Sequence, residues 1–150
     1  MIEMIVFDYG RTLYDRERDG FFPDMVPVVQ ALSARYRLSI VSVAPADDEA
    51  NRLAALKEQG VLQCFEAVLF VQSGAAKAAK FDELLARVGL AANQVAVVDD
   101  YVIRGIAWGN RAGATTVWFR NGRFADVLPD EASGKPAHTI CRLGELLDIF

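Results

Sequence analysis

Six short runs of apolar, β-favouring residues punctuate the chain, at 4–7, 38–43, 67–71, 95–99, 115–119 and, more weakly, 138–141. Each is bounded by polar or glycine-containing segments, the pattern of strands buried on both faces. Between them apolar residues recur at helical spacing. Met25, Val28, Val29 and Leu32 predict a helix over 24–36, and Phe81, Leu84, Leu85 and Val88 predict one that carries Lys77 and Lys80 and stops at Gly89. Another opens at Pro45, with Asp47, Asp48 and Glu49 facing the positive end of its dipole, and closes at Gly60. Two more are predicted over 103–112, stopped by Gly113, and over 143–150. The charged segment 9–23 reads as a loop or short hairpin lying over the end of the first strand. Strands alternating with helices predict a single α/β domain whose sheet is mainly parallel and whose crossovers are right-handed.

The composition keeps that picture and removes others. With 150 residues, 53% hydrophobic and 24% charged, the chain can bury one ordinary core and has no disordered bias. A net charge of −4 offers no basic excess to a nucleic-acid backbone. No apolar run approaches the roughly 20 residues that cross a bilayer, and Met1-Ile2-Glu3 leads straight into a strand, so a cytoplasmic protein is expected. Cys64 and Cys141 lie far apart without metal or redox spacing and are expected to be reduced packing residues. The single histidine, His138, has no partner in sequence.

Polar residues collect at or just beyond the predicted carboxyl ends of strands: Asp8, Ser42, Lys77 and the pair Asp99-Asp100. In an open parallel sheet this is where ligands bind, and if the first, second and fourth strands are neighbours these groups share one crevice. Each has a plainer reading: Asp8 as a loop cap, Asp99-Asp100 as a turn, Ser42 as an ordinary strand end, Lys77 and Lys80 as solvated helix residues.

Taken together, these residues resemble the haloacid dehalogenase-like hydrolase superfamily over nearly the whole chain. The first motif of that family, Asp-x-Asp-x-Thr ending a strand, reads here Asp8-Tyr9-Gly10-Arg11-Thr12; the second is matched by Ser42; Lys77 and Lys80 compete for the third, Lys77 being nearer the helix start; the fourth is matched by Asp99-Asp100. The resemblance implies a Rossmann-like three-layer sandwich of five to six strands in the order 3-2-1-4-5, with any sixth at the edge.

It also implies a Mg²⁺-dependent phosphohydrolase in which Asp8 attacks phosphorus to form an aspartyl-phosphate. Asp8, Asp99, Asp100 and the carbonyl of Gly10 would supply the metal site, while Ser42, Lys77 or Lys80, Arg11 and the loop around Thr12 would hold the phosphoryl oxygens. Two departures matter. The second aspartate of the first motif, the general acid–base of the family's phosphatases, is Gly10, and general acid–base help is worth about 10²–10⁴-fold. The later acid of the fourth motif is also absent, since Arg104-Gly105 occupy its place. Neither usual insertion point holds a cap domain, so residues 1–150 read as a capless core, open to a phosphate on a large molecule or protein, or closed by a second copy. The alternative is a degenerate binding or regulatory protein on the same core. A two-component receiver would need its acidic pair at the first strand, and dehalogenation normally uses a cap.

Overall fold

The computed structural model describes residues 1–150. Its centre is β1 (Met4–Phe7), with all four residues buried. Flanking it in sequence order are the short antiparallel pair β2 (Tyr14–Asp15) and β3 (Gly20–Phe21), then α1 (Met25–Ser33), β4 (Arg37–Val43), α2 (Glu49–Glu58) and β5 (Phe65–Val71). The second half runs α3 (Lys77–Val88), β6 (Val95–Asp99), α4 (Ala107–Ala112), β7 (Thr115–Phe119), β8 (His138–Ile140) and α5 (Leu146–Ile149). Six strands form one sheet in the order β5-β4-β1-β6-β7-β8, every pairing parallel. This is the anticipated order with the sixth strand added, an α/β Rossmann-like fold.

Strand alternation sorts the core into two layers. Ile5, Phe7, Leu38, Ile40, Ala96 and Val98 face one way, against Met25, Val28, Val29 and Leu32 of α1, Leu56 of α2 and Leu146 of α5. Met4, Val6, Val41, Val95 and Val97 face the other way, against Phe81 and Leu84 of α3 and Trp108 of α4. Helices on both faces leave only the strand ends open, and at the carboxyl end the chain departs in opposite directions on the two sides of β1.

Several boundaries differ from expectation for local reasons. The first helix stops at Ser33, short of Tyr36, because the N–H groups of Arg35 and Tyr36 both close onto the Leu32 carbonyl and Tyr36 packs edge-on to Phe150. α2 begins at Glu49, since Asp48 puts its carboxylate on Arg52 instead of capping the helix. β5 starts two residues early, at Phe65, where it pairs with Leu38. The helix expected over 103–112 divides into a π-helical turn, Val102–Ile106, and α4. The last helix likewise divides into a tight turn, Leu143–Glu145, and α5. Cys141 is exposed and Cys64 only partly buried, so neither is the buried packing residue that was expected.

The segment after β1 holds only the β2–β3 hairpin before α1, and the link from β5 to α3 is the short stretch from Gln72 to Ala76. No helix is long and apolar enough to cross a membrane.

Candidate active site

Register sets the site. Phe7 of β1 pairs with Val98 of β6, which brings Asp8 level with Asp99, and the Asp8 N–H donates to the Val98 carbonyl at 2.9 Å. Asp8 and Asp99 continue the Met4–Val6 and Val95–Val97 rows, so both carboxylates turn toward the α3 layer. There Lys77, Phe81 and Leu84 form the buried stripe of α3, and the Lys77 ammonium, 2% exposed, lies 2.8 Å from Asp99 Oδ2 and 3.2 Å from Asp8 Oδ1. Burial works against a charged lysine, but the two carboxylates outweigh it and hold Lys77 above the usual lysine range.

Lys80 drops out of the site. It lies off the apolar stripe, one turn from Lys77, and pairs at the surface with Glu83 at 2.6 Å. Thr12 makes no hydrogen bond to Asp8 or Asp99: its N–H is given to the Tyr9 carbonyl at 3.3 Å, and its hydroxyl is buried without a partner. His138 opens β8 at the amino edge of the sheet, the end opposite the site.

The two acids after β6 differ in kind. Asp99 is saturated by Lys77, by the Gly105 N–H at 2.9 Å and by the Tyr101 N–H at 3.2 Å. A methyl group on Gly105 would stand 2.5 Å from Asp99 Oδ2, so the glycine is what lets the π-helical turn approach. Asp100 is equally buried, 3% exposed, but its Oδ2 has no hydrogen-bond partner, while its carbonyl accepts from the Trp118 indole at 3.0 Å. Burial, then the charges of Asp99 and Asp8, push the Asp100 carboxyl up to about 9. Carboxylate oxygens of Asp8, Asp99 and Asp100 all lie within 4.8 Å of one another. Three crowded carboxylates against one ammonium, with an orphaned buried oxygen, fit a hard divalent cation such as Mg²⁺. Both oxygens of Asp99 accept hydrogen bonds from Lys77, Gly105 or Tyr101, whereas Asp100 Oδ2 has no partner and Asp8 meets Lys77 through Oδ1.

Ser42 continues the Leu38–Ile40 row, so it faces α2, where the Arg52 guanidinium reaches its Oγ at 3.4 Å. Arg52 is itself buried, tied to Asp48 at 2.9 Å and the Val43 carbonyl at 3.1 Å, with its guanidinium 4.9 Å from the Tyr9 ring centre. Arg16, Arg52, Tyr101 and Phe124 carry no motif of their own in the sequence, where the charge of the 9–23 segment points only to Arg16 and where Arg104 stands out only for occupying the place of the family's later acid. Tyr101 and Phe124 stack with ring centres 3.9 Å apart, capped by Arg104 on one side and Arg11 on the other. Arg11 adopts a left-handed φ of 60°. A cavity of about 60 Å³ joins Asp8, Gly10, Arg11, Ser42 and Asp100. The crevice anticipated from the sequence thus contains Asp8, Gly10, Arg11, Ser42 and Asp100, with Lys77 and Asp99 directly beneath.

No family model matches the chain. A curated relative does: the glyceraldehyde 3-phosphate phosphatase of Methanopyrus kandleri is 30% identical over 132 residues, spanning 85% of this chain and 55% of that protein. The fold matches YfnB of Bacillus subtilis, a HAD-type hydrolase structure bound to magnesium, at a TM-score of 0.79 with 14% identity, covering 99% of this chain and 98% of that one. The chain has the fold of the haloacid dehalogenase-like superfamily. A predicted phosphoglycolate phosphatase from Haemophilus somnus, another structure of this fold, gives a TM-score of 0.71 at 25% identity over 86% of this chain and 56% of its own. The chain thus spans about half the length of the curated relative it matches. Within the superfamily fold, the receiver alternative falls away: its acidic pair follows β6, the fourth strand of the anticipated order, instead of β1.

Proposed function

We propose that this chain is a Mg²⁺-dependent phosphohydrolase that works through Asp8. The observation that carries the reading is the Asp8–Lys77–Asp99 arrangement beside the unpartnered carboxylate oxygen of Asp100. Lys77 holds one oxygen of Asp8 and leaves the other to attack phosphorus, and Asp99 fixes Lys77. Ser42, oriented by Arg52, and Arg11 hold phosphoryl oxygens. Magnesium, held by Asp8, Asp100 and the Gly10 carbonyl, would offset the charge of the phosphoryl oxygens.

Gly10 restricts the chemistry. Without an acid there, alkyl phosphates lose about 10²–10⁴-fold, whereas acyl and aryl phosphates depart with little need of a proton. With only a hairpin and a short link at the two insertion points, the site also admits a phosphate borne on a larger molecule, or closure by a second copy of the chain.

A phosphate panel with Mg²⁺ and with a chelator tests this. Turnover of aryl or acyl phosphate is expected with metal, and Asp8→Asn is expected to abolish it; metal-dependent turnover that survives Asp8→Asn rejects the assignment. Gly10 also favours a second reading, a binding or regulatory protein on a degenerate core. A methyl group on Gly10 meets nothing closer than the flexible Arg16 side chain at 3.7 Å, so the backbone has room for a side chain at this position, and Gly10→Asp is the variant to make. Gain of alkyl phosphate turnover in Gly10→Asp supports the enzyme; silence of both proteins across the panel supports the binding role.

A further inference from the structure

Gly10 leaves a gap where the family has an acid, and Arg16 stands in it. The atoms nearest to a methyl group built on Gly10 are Arg16 Nη1 and Cδ, at 3.7 and 3.8 Å. Arg16 forms no ion pair, and neither do Arg11 and Arg104 across the mouth. Three unpaired guanidiniums therefore converge on a 60 Å³ cavity in a chain whose net charge is −4. Gly10 and Arg16 also form the partition to a second cavity of about 340 Å³, whose walls include Tyr9, Asp48, Asn51 and Arg52. The smaller cavity has room for little beyond a phosphoryl group, and the larger one, on the other side of Gly10 and Arg16, has the room for the rest of a substrate.

A guanidinium remains protonated in proteins, so Arg16 cannot replace the missing acid as a proton donor. What it can do is bind an oxyanion that leaves without a proton, through charge-assisted hydrogen bonds. We propose that Arg16 determines specificity for phosphoric anhydrides, either acyl phosphates or diphosphates, whose leaving group is released as a carboxylate or phosphate anion. This rests on the reading of Asp8 as nucleophile. An Asp8 oxygen bonds to phosphorus while the bridging P–O bond breaks, and its electron pair leaves with the anion held by Arg16. Water then attacks phosphorus, the bond to Asp8 breaks, and inorganic phosphate and the free carboxylate are formed, with protons released to solvent.

The test compares acetyl phosphate, pyrophosphate and phenyl phosphate in wild type, Arg16→Ala and Arg16→Lys, with Mg²⁺. Arg16→Ala is expected to lower kcat/KM for at least one anhydride about 10–100-fold relative to phenyl phosphate, and Arg16→Lys to restore part of the ratio. A loss confined to acetyl phosphate assigns the acyl anhydride, and one confined to pyrophosphate assigns the diphosphate. An equal loss on all three substrates, or none, overturns the role of Arg16 while Asp8 chemistry stands; anhydride turnover that survives Asp8→Asn overturns the underlying reading instead. Calorimetric binding of Mg²⁺-pyrophosphate and of acetyl phosphate to Asp8→Asn protein decides the matter if turnover is slow. Weakening of either by at least about tenfold on adding Arg16→Ala supports the proposal, and unchanged or absent binding of both overturns it.

Discussion

Replacing Lys77 by Met leaves Asp8 and Asp99 as close buried carboxylates with no counter-charge, the situation in which breaking a buried pair costs about 3–5 kcal/mol. Lys80→Met, whose partner Glu83 is at the surface, should stay within about 0.5 kcal/mol. Urea titration of both variants separates them, and comparable losses would place the lysines on an equal footing. The sequence placed both on one helix near a strand end, and only the packing stripe through Phe81 and Leu84 selects between them. Tyr9 supports a second prediction at this scale. Burial, opposed by Arg52, pushes its hydroxyl from the ordinary 10.0 up to about 12. The folded chain therefore keeps a proton that the unfolded chain has already lost. The contribution is intact below about pH 10 and is lost as pH rises toward 12. Chemical denaturation across that range should show falling stability, with a shallower slope in Tyr9→Phe. Asp8, Ser42, Lys77 and the acidic pair were legible because strand ends in an α/β chain are marked by apolar runs. Arg16 and Arg52 were not, because their positions follow from the hairpin path and from Asp48 drawing the guanidinium inward.

At the scale of elements, the turn between β6 and α4 shows where periodicity stops being informative. Apolar spacing over 103–112 reads as one helix, and a π-helical turn has the same residue types with a wider backbone. The widening aims the Gly105 N–H at Asp99, and the absence of a side chain at Gly105 allows the contact. Gly105→Ala should force Asp99 or the turn to move, costing about 1–3 kcal/mol by overpacking and displacing Lys77. The signature is a loss of Asp8-dependent turnover larger than the loss of stability, measured on protein whose circular dichroism is unchanged. If turnover and stability stay at wild-type values, the turn is not what fixes Asp99. Helix ends marked by glycine were readable, because Gly89 and Gly113 adopt the left-handed conformation that stops α3 and α4. Ends set by side-chain pairing, as at Asp48, were not.

At the scale of the whole molecule, the sheet order was available in advance because short crossovers of fixed hand leave few ways to place buried parallel strands. The same order explains why a stable core contains a costly site: β1 and β6 lie side by side at the point where the two halves of the chain diverge, and each ends in acids. Asp8, Asp99 and Asp100 are packed within 4.8 Å in the interior, and Lys77 is the one cation that forms ion pairs with them. A fold selected for stability alone would not keep Asp100, whose free oxygen is satisfied by no group of the protein. At nearly constant shape, Asp100→Asn removes a carboxyl that must take up a proton to be buried beside Asp99 and Asp8, so at neutral pH the metal-free variant should melt at a higher temperature than wild type. Magnesium should reverse the ranking. Wild type gains stability as RT ln(1 + [Mg²⁺]/Kd), about 2.7 kcal/mol at a hundredfold excess over Kd, whereas the variant has lost a ligand and should gain far less. Thermal scans of both proteins in chelator and in graded Mg²⁺ measure this crossover. Parallel shifts in the two proteins would mean that the cation binds elsewhere and that the unpartnered oxygen of Asp100 has another purpose.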